Sequence, residues 1–274
     1  MKIKAYKMDG LGNDFVIIDA REKDVELNKD QIVKICDRNF IGCDQLIIIQ
    51  KNQKTDASLI FYNSDGSISG ACGNGTRCIA EFISKENNKE TIVLTTSSGN
   101  LSSKILGKKM VSTEIGIPKT KWQEIPLSKE MDTKNLNVKI LDNNKKEFFG
   151  GTSVNVGNPH IIFFVNDLTD FDISKIGPEL ENSNLFPKKC NVTIAQKIND
   201  NLIKVNVWER GAGLTKACGT AACATAYASK INNLTNDEAD IEFASGILSI
   251  SIDKKDSIHM KGPVSDIQEI NFEI

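Results

Sequence analysis

Two cysteines in this chain stand where a thiol becomes reactive. Cys72 lies in Ala71-Cys72-Gly73-Asn74 and Cys218 in Ala217-Cys218-Gly219-Thr220, and each opens a stretch patterned as a helix, 73–85 and 219–230. A sulfur at a helix N-terminus sees the positive end of the helix dipole and backbone N–H groups with no intrahelical partner. That setting draws a thiol pKa from about 8.5 toward neutrality. The glycine after each cysteine lets the backbone approach a ligand closely. The N–H groups of Gly73 and Asn74, and of Gly219 and Thr220, are therefore natural pockets for a carboxylate.

If both helix starts act on one ligand, the arrangement specifies a reaction. One thiolate removes the α-proton of an amino acid from one face, the opposite thiol returns a proton to the other, and the centre inverts. The α-proton is weakly acidic, so donors aimed at the carboxylate must stabilise the charge that develops there. No lysine sits in a context for a pyridoxal Schiff base, so the expected route needs no cofactor. A zinc site would call for other spacings. The local patterns are Cys-x5-Cys (Cys72, Cys78) and Cys-x4-Cys (Cys218, Cys223), without nearby paired histidines. A thioredoxin-like redox pair would need Cys-x-x-Cys. No metal is expected. Cys78 and Cys223 read as core residues of the second helical turn, and Cys36, Cys43 and Cys190 as structural.

Short runs rich in β-branched and aromatic residues surround these helices: IKAYKM, FVIIDA, QLIIIQ, ASLIFYN, TIVLTTS and MVSTEIGI, then TSVNVG, HIIFFV, NVTIAQKI, LIKVNVWE, DIEFA, ILSISID and EINFEI. Two more helices are expected, 28–38 behind a capping Asn28 and 172–181. The segment 117–135, with two prolines, reads as a linker. Landmarks recur at a nearly constant offset of 145 or 146 residues: Asn13 and Asn158, Gln45 and Asn191, Asn63 and Glu209, Cys72 and Cys218. The economical explanation is a duplicated β-rich domain of α/β (α+β) class with one prominent helix per copy, the two Ala-Cys-Gly helix starts facing one cleft.

The 274 residues carry 34 basic and 36 acidic side chains, a net charge of −2, which gives no field for nucleic acid or an anionic membrane. The apolar runs are far short of a membrane span, and the basic N-terminus lacks the apolar stretch of a signal peptide. With seven cysteines and no secretory context, free thiols and a cytoplasmic protein are expected. Monomer and homodimer both fit.

The motifs GLGNDF (10–15), NSDGSISGACGNGTRC (63–78), GNPH (157–160) and ERGAGLTKACGTAACA (209–224) resemble the diaminopimelate epimerase family, in family order and over essentially the whole chain. The resemblance implies a pyridoxal-independent, two-base isomerase. It would interconvert LL- and meso-2,6-diaminopimelate on the route to lysine and peptidoglycan. It also implies two pseudo-symmetric domains, each a barrel-like sheet around a central helix, with boundaries expected at 1–117 and 118–263 and a strand at 264–274 returning to the first. Cys72 and Cys218 resemble the acid/base thiols, and Gly73, Asn74, Gly219 and Thr220 the donors to the reacting carboxylate. Asn13, Gln45, Asn63, Asn158, Asn191, Glu209 and Arg210 match substrate contacts. Arg210 suits the distal carboxylate, and the asparagines suit the distal ammonium. His160 and Glu209 resemble groups that tune the thiols. Leu214 and Ala221 depart from the pattern, where Glu and Gly are common. Two rivals remain: another two-thiol racemase, such as a proline racemase relative, and an amino-acid-binding protein that kept the pockets without catalysis.

Overall fold

Burial alternates along some strands, as in β4 (Ala57–Asn63), whose Ala57, Leu59 and Phe61 are buried while the residues between them are half-buried, and is continuous along others, as at 46–49 and 159–163. The computed structural model describes residues 2–70 and 72–274; Met1, and Ala71 of the first Ala-Cys-Gly tripeptide, lie outside them. By internal packing the chain divides into two units, Met1–Glu114 with Lys261–Ile274, and Ile115–Met260.

The first unit runs β1 (Lys2–Gly10), β2 (Asn13–Asp19), α1 (Lys29–Cys36), β3 (Gln45–Gln50) and β4. It continues with β5 (Ile68–Ser69), α2 (Gly73–Asn87), β6 (Thr91–Thr96), β7 (Gly99–Ile105) and β8 (Met110–Gly116). β1–β2 is antiparallel, β2–β3 parallel, β3–β4 antiparallel, β4–β6 parallel and β6–β7 antiparallel. The expected cap at Asn28 is a full capping box: Asn28 Oδ1 accepts from the Gln31 N–H, and Gln31 Oε1 from the Asn28 N–H, both at 2.9 Å.

α2 is the centre of this unit. Its Cys78, Ile79, Phe82 and Ile83 are buried with Phe15 and Ile17 of β2, Ile47 of β3, Phe61 of β4, and Ile92 and Leu94 of β6. The sheet comes so close that a Cβ on Gly75 would lie 2.8 Å from Ile47 and 2.9 Å from Phe61. Only glycine lets the first turn of α2 sit there.

The second unit holds β9 (Val138–Leu141), β10 (Glu147–Gly150), β11 (Thr152–Asn155), β12 (Pro159–Val165), α3 (Ile173–Glu181), β13 (Asn191–Asn199) and β14 (Leu202–Glu209). β15 (Gly213–Thr215), α4 (Gly219–Ile231), β16 (Glu238–Phe243), β17 (Gly246–Ile252) and β18 (Ile258–Pro263) follow. From β11 through β12, β13, β14 and β16 to β17 the pairings are again antiparallel, parallel, antiparallel, parallel, antiparallel. β19 (Gln268–Glu273) belongs to the first unit and pairs antiparallel with β1. α4 is lined with small side chains, and Ala221, Ala222, Ala224, Ala226 and Ala228 are all buried. α3 starts at an Asp172 cap and packs on β14 so tightly that a Cβ on Gly177 would lie 2.3 Å from Trp208.

The segment expected as a linker is a packed part of the second unit. Ile125 and Leu127 are buried in one cluster with Leu136, Ile140, Ile161 and Phe163, and Lys119 exchanges backbone hydrogen bonds with Asn155 (2.8 and 2.9 Å). Its prolines interrupt regular structure without removing the apolar anchors. Among the described residues no helix is long and apolar enough to cross a membrane.

Candidate active site

In the first unit the turn between β1 and β2 places Asn13. Leu11 and Gly12 both have positive φ (63° and 80°), as a two-residue hairpin requires, and Asp9 Oδ1 accepts from the Gly12 N–H at 3.0 Å. Asn13 then opens β2, with Oδ1 3.7 Å from Cys72 Sγ and 3.3 Å from Asn74 Nδ2. Cys72 is the N-cap of α2 in extended conformation (φ −140°, ψ 112°), and its side chain makes no cap hydrogen bond. Its carbonyl accepts from the Thr76 N–H and hydroxyl, each at 2.8 Å. The helix thus starts through the Cys72 backbone, without a capping bond from its side chain.

Gln45 and Asn63 stand opposite one another in the β3–β4 register. Gln45 Nε2 donates to Asn63 Oδ1 (2.9 Å), and Asn63 Nδ2 to Ser67 Oγ (3.0 Å). Gln45 Oε1 and Asn74 Oδ1 are buried and meet no donor among the described residues. Buried acceptors are normally satisfied, so both are atoms that a bound cation or N–H donor would complete.

In the second unit Cys218 is the N-cap of α4 with nearly the same backbone (φ −141°, ψ 115°) and again no side-chain cap bond. Its carbonyl accepts from the Ala222 N–H at 3.0 Å. Cys218 Sγ lies 3.4 Å from Thr220 Oγ1, which accepts from Asn158 Nδ2 at 3.4 Å. Asn158 Oδ1 lies 2.9 Å from His160 Nε2, and Asn191 Nδ2 lies 3.2 Å from the same nitrogen. Asn191 Oδ1 accepts from the Arg210 N–H at 2.7 Å, and Arg210 Nη1 donates to the Lys188 carbonyl at 3.0 Å. His160 therefore reaches Cys218 through Asn158 and Thr220 rather than directly.

The charges around this second thiol are pronounced. Burial, then the negative charge of Glu209, push the Cys218 thiol well above its ordinary range, against a smaller pull from the Thr220 hydroxyl. Burial, then the Arg210 cation, hold His160 down to about 3, so this imidazole is neutral at physiological pH.

The structure also shows residues that the sequence did not flag. Glu181, at the end of α3, accepts from Trp208 Nε1 (2.8 Å) and from the Gly211 N–H (3.1 Å), which clamps the turn carrying Glu209 and Arg210. Asp44, directly before Gln45, accepts from Asn13 Nδ2 at 2.9 Å. No spacing motif marks either; adjacency to Gln45 was the one available signal for Asp44. The two departures fall at opposite depths. Leu214 is 61% exposed on β15, paired opposite Trp208, and Ala221 is buried in the first turn of α4.

The family model described as diaminopimelate epimerase matches residues 5–120 and again 152–267. A diaminopimelate epimerase of Pelagibacter ubique is 66% identical over the full length of both chains. One of Acidiphilium cryptum is 38% identical, covering 96% of this chain and 94% of its own. Among solved structures, a probable proline racemase from Agrobacterium radiobacter K84 superposes with a TM-score of 0.70 at 10% identity, covering 99% of this chain and 93% of that one, a likeness of fold alone. On the family model and these full-length relatives, the chain belongs to the diaminopimelate epimerase family.

Proposed function

We propose that this chain interconverts LL- and meso-2,6-diaminopimelate without a cofactor, by proton transfer at one α-carbon between Cys72 and Cys218, and so serves lysine and peptidoglycan-precursor synthesis. One observation carries the mechanism. Two cysteines cap two long helices in the same extended backbone conformation, and neither thiol is used for capping.

On this reading the reacting carboxylate binds the first-turn N–H groups of Gly73, Asn74, Gly219 and Thr220, where helix dipoles stabilise the developing charge. A thiolate takes the α-hydrogen as a proton and leaves the electron pair on the α-carbon and carboxylate. The other thiol then gives its proton to the opposite face, and the two sulfurs exchange protonation states. Cys218, whose proton is held by burial and by Glu209, enters the cycle as the acid. Arg210 binds the distal carboxylate, which its fork fits in bidentate fashion. Gln45 Oε1 and Asn74 Oδ1 are acceptors that an ammonium group would satisfy, with Asn13, Asn63, Asn158 and Asn191 completing recognition. The substrate is a free small molecule, so the reading involves neither nucleic acid nor membrane, and a cytoplasmic setting keeps the thiols reduced.

The test is solvent-deuterium exchange. In D₂O, LL-diaminopimelate should gain deuterium at one α-carbon as the meso isomer forms, and L-proline should gain none. A protein that binds diaminopimelate without exchange would be a binding relative, and exchange on proline would move the substrate class.

A further inference from the structure

We infer that Asp44 is a positioning residue for the proton transfer: it orients the Asn13 side-chain amide so that a carbonyl oxygen, and not an NH₂ group, faces the Cys72 thiol. The step from orientation to turnover rests on the epimerase reading above.

The geometry begins with Asp44. Its Oδ2 accepts from Asn13 Nδ2 at 2.9 Å and from the Asp14 N–H at 3.1 Å. Its Oδ1 accepts from Arg38 Nη2 at 2.6 Å. A carboxylate only accepts hydrogen bonds, so the atom of Asn13 that faces it must be the NH₂. The other end of the same planar amide is then Oδ1, which lies 3.7 Å from Cys72 Sγ and 3.3 Å from Asn74 Nδ2. An amide's O and N are told apart by their partners, and here an anion decides.

Asp44 is itself clasped. Arg38 forks onto both oxygens of Asp14 (2.5 and 2.8 Å) while holding Asp44. The Asp44 N–H donates to the Asp14 carbonyl and to its Oδ1, both at 3.0 Å. The ion pairs are partly exposed, with Arg38 58%, Asp14 25% and Asp44 43% accessible at the side chain. Their value is therefore geometric more than energetic.

An acceptor beside the sulfur works against the α2 N-terminus. The helix end stabilises thiolate, whereas a carbonyl oxygen holds the S–H and leaves the thiolate more basic. A strong base is what a weakly acidic carbon-bound proton requires. Asp44→Asn replaces the anion with a group that can donate, and releases Asn13 to turn its NH₂ toward the sulfur. The Cys72 thiolate should then be more populated and less basic. Its alkylation should speed up while turnover slows, two opposite shifts that a loosened structure would not produce.

The experiment measures iodoacetamide rates at Cys72 and Cys218 in the same molecules by peptide mass spectrometry. The proteins are wild type, Asp44→Asn, Asn13→Ala and the double variant. Asp44→Asn should raise the Cys72 rate about three- to tenfold and leave Cys218 unchanged, with no further effect when Asn13 is already alanine. Deuterium exchange into diaminopimelate should fall about tenfold in kcat. An unchanged Cys72 to Cys218 ratio, a joint rise at both thiols, or the same effect without Asn13 would each overturn the proposal. Wild-type NMR covers the case in which the variant does not fold. The Asn13 side-chain NH₂, identified by its loss in Asn13→Ala, should show one proton shifted downfield by the carboxylate, and two free-amide positions would refute the contact. Alkylation needs no substrate, so failure of the diaminopimelate assay alone would count against the function and not against this orientation.

Discussion

At the start of α2 the Cys72 sulfur meets an amide oxygen, Asn13 Oδ1 at 3.7 Å; at the start of α4 the Cys218 sulfur meets a hydroxyl, Thr220 Oγ1 at 3.4 Å. The backbones agree within a few degrees. Cys72 is partly accessible and Cys218 is 5% exposed. Asn13 turns its NH₂ to a carboxylate, whereas Asn158 directs its NH₂ to Thr220 and its oxygen to a neutral imidazole. Chemically identical groups on equivalent helices are thus given unlike surroundings, and on the proposed mechanism this difference separates the acid from the base.

The sharpest way to break this comparison is to remove one sulfur at a time. Cys72→Ala and Cys218→Ala should each lower epimerisation by 10⁴-fold or more, beyond the usual range for a general acid or base, because the proposed mechanism gives each face of the α-carbon one proton carrier. If either variant still interconverted the LL and meso isomers within about a hundredfold of the wild-type rate, its sulfur would not be a proton carrier.

Arg210→Lys comes next and bears on the second unit. Lysine keeps the charge and loses the bidentate fork, so the affinity for a diaminopimelate analogue should fall about ten- to hundredfold. Calorimetry reads this directly, and an unchanged affinity would place the distal carboxylate elsewhere.

Unequal thiols should also react unequally. Thiolate is the reactive species, and Cys218 is held protonated. At pH 7 iodoacetamide should modify Cys72 about tenfold faster or more, and the gap should narrow as pH rises toward the raised Cys218 range. Glu209→Gln removes a charge that holds the Cys218 proton, so it should speed Cys218 selectively. Equal rates at pH 7 would mean that the two environments are equivalent.

The smallest effect is on stability. His160 is held at about 3 in the folded chain, against about 6.5 for an unperturbed histidine. A depressed histidine contributes stability that is fully present above pH 6.5 and is lost as pH falls toward 3. Near pH 5.5 the loss should be about 1 kcal/mol. Denaturant melts of wild type and His160→Gln, compared at pH 7.5 and 5.5, should show the wild type with the steeper decline.

Residues whose role follows from local pattern were legible in the sequence. β3 and β4 match the apolar runs 45–50 and 57–63, and α2 and α4 begin at the cysteines because Gly73 and Gly219 start periodic apolar stretches. The repeated offset follows from the repeated pairing order. Less legible was anything settled by distant partners. β7 is Gly-Asn-Leu-Ser-Ser-Lys-Ile, too polar to read as a strand, and exists because β6 and β8 pair with it on either side. Ile125 and Leu127 look like linker residues until Phe163 and Ile161 are folded against them. The Arg38–Asp14–Asp44 clasp joins three separated positions whose charges, taken singly, read as ordinary surface.

The contact between Gly177 and Trp208 has a consequence for how this chain can vary. Even a methyl group at Gly177 would fall 2.3 Å from the Trp208 side chain, nearer than any packing adjustment absorbs. Trp208 in turn is tied through its indole nitrogen to Glu181, next to the residues that follow it in the Glu209–Arg210 turn. In a saturation library, position 177 should tolerate nothing but glycine while tryptophan stands at 208. Shrinking the residue at 208 should not bring variants back, because the Trp208 Cβ, which every residue but glycine carries, already lies 2.5 Å from the added carbon; position 177 is tied to the course of β14 as well as to the indole.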